Sequence, residues 1–107
     1  MSDIRDVTTE SFQKDVLESP TLVIVDFWTE WCAPCRQLSP TLKALATAYE
    51  GKLRIAKVDG DANRDLAQTY KVQAFPTLLY VKDGKVRDQT VGNQSRASLE
   101  QRIQKLL

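Results

Sequence analysis

Hydrophobic residues recur with two different periods along this chain, and the periods predict where strands and helices lie. Residues 21–27 are apolar at nearly every position, which is typical of a strand covered on both faces in a parallel sheet. From residue 32 to residue 50 the apolar side chains instead recur at spacings of four, three and four, which predicts an amphipathic helix. The buried face of that helix consists of Leu38, Leu42, Leu45 and Tyr49.

The other apolar segments predict four further strands and three further helices. Strands are expected at residues 4–7, 53–58, 77–82 and 85–91, with a hairpin turn at Asp83 and Gly84 between the last two. The helices are expected to be capped by Thr8 or Thr9, by Asp61 or Asn63, and by Ser95. Their inward-facing residues are Phe12, Val16 and Leu17, then Leu66, Ala67 and Tyr70, then Leu99, Ile103 and Leu106. This order predicts an α/β fold: one domain over residues 1–107, with a central mixed five-stranded sheet flanked by four helices.

Three residues that disfavour regular structure refine this outline. Pro40 interrupts the hydrogen-bond ladder of the long helix, and we expect it to kink the helix so that the first turn is aimed separately. Gly51 is expected to end that helix in a left-handed conformation. Gly92 is expected to end the last strand.

Composition and charge exclude several classes of function. The chain has 107 residues, of which 15 are basic and 14 acidic, so its net charge of +1 creates no broad field for nucleic acid or an anionic membrane. The first residues lack the apolar core of a signal peptide, and no apolar run approaches the length of a membrane span. We therefore expect a cytoplasmic protein that binds neither nucleic acid nor membrane, and a monomer.

The chain has two cysteines, Cys32 and Cys35, and both lie where a buried strand gives way to the long helix. A disulfide between them would close a ring of only four residues and would stabilise the fold by only about 2 kcal/mol before strain. In a cytoplasmic protein such a pair is more often catalytic or metal-binding than structural. Zinc needs four ligands, and this chain has no histidine, so at best it offers a half-site completed by carboxylates or a second subunit. We therefore expect no metal and favour redox chemistry.

The position of each thiol predicts its role in that chemistry. Cys32 lies at the start of the helix, where free backbone N–H groups favour an anion, and Arg36 adds positive charge nearby. Cys35 lies within bridging distance in the same turn and is expected to face further inward, while Pro34 stiffens the turn between them. Cys32 would attack a disulfide in a partner protein, and Cys35 would then attack Cys32 and release the partner as a dithiol.

Asp26 is the candidate acceptor for the proton of Cys35. It is a carboxylate inside the most apolar strand, where burial raises a carboxyl pKa toward the working pH, and the chain has no histidine to serve instead. The alternative is a buried ion pair kept for structure.

The segment Trp31-Cys32-Ala33-Pro34-Cys35 at a strand-to-helix junction resembles the active site of the thioredoxin family. The resemblance extends over essentially the whole chain, through Asp26-Phe27-Trp28, Pro40, Lys57, Asp59, Phe75-Pro76-Thr77, the Asp83-Gly84 turn and Gly92. It implies a thioredoxin fold and a protein-disulfide reductase that binds no cofactor. It further implies a redox-active Cys32–Cys35 disulfide, re-reduced by a thioredoxin reductase with electrons from NADPH. The sequence departs from the family in two places, with Ala33 where glycine is usual and Arg36 where lysine is common, which bears on the redox potential rather than the reaction class.

The resemblance also implies roles for residues outside the motif. Asp26 would take the proton of Cys35 through a water, and Lys57 on the neighbouring strand would pair with Asp26, although a purely structural pair is an equal alternative for Lys57. Pro76 would follow a cis peptide bond and pack against the cysteines, so that the backbone of Phe75 could bind an extended substrate segment.

A docking surface would surround the cysteine pair. Trp31 is expected to be partly exposed there, with Val91 and Gly92 at its border, while Trp28 is expected to support the active-site loop by packing. Two alternatives remain open at this surface: Phe75 belongs to the core, and Gly92 simply ends a strand.

Two competing functions share this sequence pattern. One is an oxidase or isomerase that uses the same thiol chemistry, which a measured redox potential would distinguish from a reductase. The other is a redox-independent binding module, which would keep its activity when both cysteines are replaced with serine.

Overall fold

A five-stranded sheet forms the centre of the structure, a computed structural model that describes residues 2–107. The strands are β1 Ile4–Asp6, β2 Leu22–Trp28, β3 Leu53–Asp59, β4 Thr77–Lys82 and β5 Lys85–Val91. Their spatial order is β1-β3-β2-β4-β5, with β3 parallel to both β1 and β2, and β4 antiparallel to both β2 and β5. The mixed sheet expected from the sequence is therefore confirmed, with β1 at one edge.

Helices cover both faces of this sheet. They are a short π-helix Gln13–Leu17 and three α-helices, α1 Ala33–Ala48, α2 Arg64–Thr69 and α3 Arg96–Leu106. Alternate residues of β2 point into two separate clusters: Val23, Val25 and Phe27 pack with residues of the π-helix and α2, and Leu22 and Ile24 pack with residues of α1 and α3. Every residue from 22 to 27 is buried, which confirms a strand covered on both faces.

The expected cap of the first helix is wrong. The π-helix begins after Phe12 and has no side-chain cap. Thr8 Oγ1 instead accepts a hydrogen bond from the amide of Ser11 at 3.4 Å, and the amide of Thr9 donates to Asn63 Oδ1 at 3.0 Å. The same bond occupies the side chain of Asn63, which stands at the N-cap position of α2 as predicted but makes no capping hydrogen bond. Neither threonine caps the π-helix, because Thr8 bonds within the turn that precedes it and Thr9 bonds to Asn63 at the start of α2.

Other helix and turn predictions are confirmed. Ser95 Oγ accepts a hydrogen bond from the amide of Ser98 at 3.1 Å and so caps α3. Gly51 has the expected left-handed backbone, with a φ of 81°, but the C-cap residue of α1 is Tyr49, two residues earlier. Asp83 and Gly84 in the hairpin turn have φ of 54° and 76°. Helix α1 is two residues shorter than expected at its C-terminal end and runs through Pro40 without a break; the kink stays a prediction. No helix within residues 2–107 combines the length and apolar character needed to cross a bilayer.

Candidate active site

The two cysteines lie at the junction between β2 and α1. They form a disulfide with their Cα atoms 5.3 Å apart. Cys32 is the N-cap residue of α1, with an extended backbone, and Ala33 and Pro34 begin the helix. The backbone N–H of Cys35 points at Cys32 Sγ, with 3.1 Å between nitrogen and sulfur. The sulfur of Cys32 therefore occupies the place of a capping oxygen, where a helix N-terminus stabilises negative charge.

The two sulfurs do not differ in burial as the sequence led us to expect. Cys32, expected to face outward, is 3% exposed, and Cys35, expected to face inward, is 6% exposed. In the disulfide form both residues are therefore almost fully buried. The cysteines differ instead in their polar surroundings, because Cys32 receives an amide hydrogen bond and Cys35 faces a cavity.

This cavity, of about 240 Å³, lies beneath the active-site loop. It is lined by residues of β2, the loop that follows it, α1 and β3: Asp26, Trp28, Thr29, Glu30, Cys35, Arg36, Ser39 and Lys57. Three of these residues carry a buried polar atom with no hydrogen-bond partner within residues 2–107, namely Asp26 Oδ1, Trp28 Nε1 and Thr29 Oγ1. A cavity of this size with polar groups in its wall can hold several waters.

Asp26 is 2% exposed and pairs in register with Lys57 across the β2–β3 ladder. Burial raises the pKa of Asp26 to about 6, and the positive charge of Lys57 opposes this rise only in part. The Lys57 ammonium also lies 5.8 Å from the centroid of the Trp28 ring, close enough for a cation–π contact. Trp28 thus lines the cavity and also contacts Lys57 of the neighbouring strand, and its support of the active-site loop stays a prediction.

Trp31 is 69% exposed beside the disulfide and is held in place from two sides. Its Nε1 donates to Asp61 Oδ2 at 3.0 Å, and its ring meets the edge of Phe75 with 6.1 Å between ring centroids. The predicted cis bond between Phe75 and Pro76 is present, with Pro76 buried and Phe75 half-buried against the core cluster of the π-helix side. Phe75 therefore belongs partly to the core and partly to the surface near Trp31.

Val91 and Gly92 lie next to the segment that follows Phe75, because Val91 pairs with Thr77 and Gly92 binds Pro76. Val91 is exposed at the end of β5. The amide of Gly92 donates to the carbonyl of Pro76 at 2.9 Å, and Gly92 has a φ of 87°. The structure thus brings Gly92 beside Pro76, and β5 ends just before this glycine as expected, while its place at the border of a docking surface stays a prediction.

Several side chains of α1 near the cysteines are exposed, while the leucines further along are buried. Ala33 and Pro34 face solvent, and so does Pro40 further along the helix. The Arg36 guanidinium donates to the carbonyl of Glu30 at 2.7 Å and forms part of the cavity wall. Arg36 therefore ties the loop that carries Trp31 to the first turns of α1.

A comparison with protein families accounts for nearly the whole chain: the model described as Thioredoxin matches residues 3–105. The chain belongs to the thioredoxin family. It is 39% identical to Thioredoxin 1 of Nostoc sp. over 107 residues, which is all of both chains. It is 46% identical to Thioredoxin C-2 of Corynebacterium nephridii over 90% of this chain and 89% of that protein. It is also 42% identical to the thioredoxin of Chlorobaculum thiosulfatiphilum over 92% of this chain and 91% of that protein.

As a member of the thioredoxin family with a Cys32–Cys35 pair, the protein is a thiol–disulfide oxidoreductase that acts on protein disulfides. The thioredoxin fold expected from the sequence is confirmed. Within residues 2–107 there is no group of three or more His, Cys, Asp or Glu side chains that could hold a metal ion. The family normally works without a bound cofactor, since the disulfide itself carries the electrons.

Three residues near the disulfide were assigned no role in the site from the sequence. Thr29 lines the cavity, Asp61 binds Trp31, and a Cβ on Gly60 would lie 2.5 Å from the ring of Phe75. Asp61 was noted only as a helix start, because its partner Trp31 is 30 residues away in the chain. For Thr29 the only available signal was its place directly after the strand that carries Asp26.

Proposed function

We propose that this protein reduces disulfides in partner proteins, with Cys32 as the attacking thiolate and Cys35 as the resolving thiol. The observation that carries the proposal is the backbone N–H of Cys35 directed at Cys32 Sγ, 3.1 Å away. When the disulfide is reduced, the same amide and the helix N-terminus favour negative charge on Cys32. Cys35 has no comparable donor and must lose a proton before it reacts.

The proposed reaction has two exchange steps. The Cys32 thiolate attacks one sulfur of the partner disulfide, forming a mixed disulfide and releasing the other partner sulfur as a thiolate, which takes up a proton. Cys35 then loses its proton and attacks Cys32 Sγ, so that the Cys32–Cys35 bond forms and the bond to the partner breaks. The second partner sulfur leaves as a thiolate and is protonated. Two electrons pass from the dithiol to the partner, which departs with both cysteines reduced.

Asp26 is proposed to accept the proton of Cys35. Both residues line the same cavity, and the pKa of Asp26, raised by burial to about 6, keeps the carboxylate largely ionised but basic near neutral pH. The proton would travel through water within the cavity. Lys57, in register with Asp26, is proposed to moderate the pKa of this carboxyl by its charge.

The surface around the disulfide is proposed to dock the partner. Trp31 and Val91 supply exposed apolar area, and Gly92 lets a partner approach closely. The backbone of Phe75, just before buried Pro76, is proposed to bind an extended segment of the substrate in the manner of an added strand.

The oxidised protein is proposed to be recharged by a thioredoxin reductase that draws electrons from NADPH, as the family membership suggests. A reducing cytoplasm suits a protein that donates electrons, and a monomer leaves the docking surface free for partners. In this role the protein carries electrons between the reductase and its substrates.

The test is reduction of insulin by dithiothreitol, followed by the turbidity of the released B chain. The protein should accelerate the reaction well above the rate with dithiothreitol alone, and the variant with serine at both Cys32 and Cys35 should not. Equal rates with and without the protein would contradict a reductase. A double-serine variant that retained full activity would instead indicate a redox-independent binding module.

Ala33→Gly is expected to change the redox balance and weaken the start of α1. Ala33 is the exposed first residue of the helix, where glycine adds backbone freedom and lowers the unfolding free energy by up to about 1 kcal/mol. If this loss of unfolding free energy differs between the oxidised and reduced forms, the redox potential of the cysteine pair shifts by up to about 20 mV. Equilibration with glutathione, comparing wild type with Ala33→Gly, measures the difference, and identical potentials would contradict the expectation. The Ser95→Ala variant, in which the cap of the distant α3 is lost, controls for a general loss of stability.

A further inference from the structure

Thr29 lines the cavity that Cys35 and Asp26 share, and its hydroxyl is buried. The residue is 1% exposed, and Thr29 Oγ1 has no hydrogen-bond partner within residues 2–107. Its backbone has a separate task, because the carbonyl of Thr29 accepts a hydrogen bond from the amide of Cys32 at 3.3 Å. The hydroxyl makes no hydrogen bond within residues 2–107 that would hold the loop, and Thr29 lines the same cavity as Asp26 and Cys35.

Two other residues that line this cavity carry a buried atom without a partner in the part of the chain that the structure describes, Asp26 Oδ1 and Trp28 Nε1. An ionised carboxylate only accepts hydrogen bonds, and an indole nitrogen only donates them. A hydroxyl does both and rotates to suit its neighbour, so it stays paired whether or not Asp26 carries a proton. Water that bridges these groups finds the two to four polar partners that a buried water requires.

We infer that Thr29 is a positioning residue for the second exchange step: its hydroxyl, with the indole N–H of Trp28, holds the water that carries the proton from Cys35 to Asp26. The inference rests on the proposed function, in which Asp26 accepts that proton. The proton leaves Cys35 Sγ for the water, which passes one of its own to the Asp26 carboxylate, and the Cys35 thiolate then attacks Cys32. Thr29 itself gains and loses no charge.

Several charged groups face the same cavity and contribute to its electrostatics. Lys57 approaches from β3, Arg36 from α1 and Glu30 from the loop after β2. All three are kept in the variants that test Thr29, so their contribution is the same on both sides of the comparison. The differences measured then report the hydroxyl and the methyl group of residue 29 alone.

The variants are Thr29→Val, which keeps the shape and removes the hydroxyl, and Thr29→Ser, which keeps the hydroxyl and removes the methyl group. In the oxidised protein, where neither cysteine titrates, the carboxyl carbon of Asp26 is followed by NMR over pH. Thr29→Val is expected to raise the pKa of Asp26 by roughly 0.5 to 1, because the carboxylate loses support from one hydrogen bond of about 1 kcal/mol. Thr29→Ser is expected to leave it near the wild-type value.

The same variants are then followed through the second exchange step by rapid mixing of the reduced protein with an aromatic disulfide. Thr29→Val is expected to slow resolution of the mixed disulfide at pH 7 by roughly three- to tenfold, with the pH profile moved upward, and Thr29→Ser to restore both. An unchanged Asp26 pKa in Thr29→Val, or equal effects of valine and serine, would overturn the inference.

The Asp26→Asn variant separates this inference from the proposed function. If Asp26→Asn slows resolution and Thr29→Val does not, only the role of Thr29 is overturned. If Asp26→Asn resolves the mixed disulfide as fast as wild type, with the same pH profile, the role of Asp26 as acceptor fails and the inference fails with it.

Discussion

Replacing Cys35 with serine is expected to abolish turnover and leave the protein covalently attached to its substrate. Cys32 keeps its place at the N-terminus of α1 and still attacks a disulfide, but the serine hydroxyl cannot displace the captured sulfur. Insulin reduction should fall to the rate of dithiothreitol alone. Without added thiol, a stable mixed disulfide through Cys32 should accumulate at close to one partner per molecule, seen by intact-mass spectrometry.

The Cys32→Ser variant is the matched control for this experiment. It is equally inactive in the proposed mechanism, but it should not form a comparable mixed disulfide, because Cys35 lacks the amide donor that Cys32 has at 3.1 Å. An aromatic disulfide gives a second measure: the reduced wild type should release two chromophores per molecule as its cysteine pair closes, whereas Cys35→Ser should release one and keep one bound. Faster capture through Cys35 than through Cys32 would contradict the assigned roles.

The fold was predictable because the spacing of apolar residues along short stretches of the sequence indicates each strand and helix. The apolar run from residue 22 to residue 27 required a strand covered on both faces, and Asp26 within it had to be a buried carboxylate. The helix of Leu38, Leu42 and Leu45 followed from spacing alone. Such features depend on neighbours within one strand or one helical turn, which a sequence displays directly.

The errors concern contacts between residues that are distant in sequence. Thr9 resembles a helix cap, but its amide binds Asn63, 54 residues away, and the first helix begins later than predicted. The burial of Cys32, which is 3% exposed, could not be predicted from its place at a helix start. Thr29 and Asp61 acquire their positions only when β2, the active-site loop and the segment after β3 come together.

Asp26→Asn is expected to stabilise the protein at neutral pH, and the gain should disappear in acid. The pKa of Asp26 is about 6 in the fold and near 3.8 in an unfolded chain. Between these values the native state binds more protons than the unfolded state, so stability falls as pH rises from about 4 to about 6 and is then level. A difference of this size corresponds to about 2–3 kcal/mol that the ionised carboxylate costs at pH 7 and that a neutral amide avoids.

Urea unfolding of the oxidised protein at pH 7 and pH 4 measures this effect. The Asp26→Asn variant should exceed wild type by about 2–3 kcal/mol at pH 7 but by only about 0.5 kcal/mol at pH 4, where Asp26 is protonated in the folded state and partly protonated in the unfolded chain. Glu10→Gln, at an exposed carboxylate, is the control and should show the same small difference from wild type at both values. A gain from Asp26→Asn that is equal at both pH values would mean that packing, not ionisation, is responsible.

The sign of this effect links stability to function. A buried carboxylate that destabilises the fold at the pH where the protein works has no structural advantage over asparagine, so its presence indicates a task that only an ionisable group performs. Accepting a proton from Cys35 across the shared cavity is such a task. The variant that is more stable at pH 7 should therefore also be the one that resolves its mixed disulfide more slowly, and the two effects should diminish together as the pH falls toward 4.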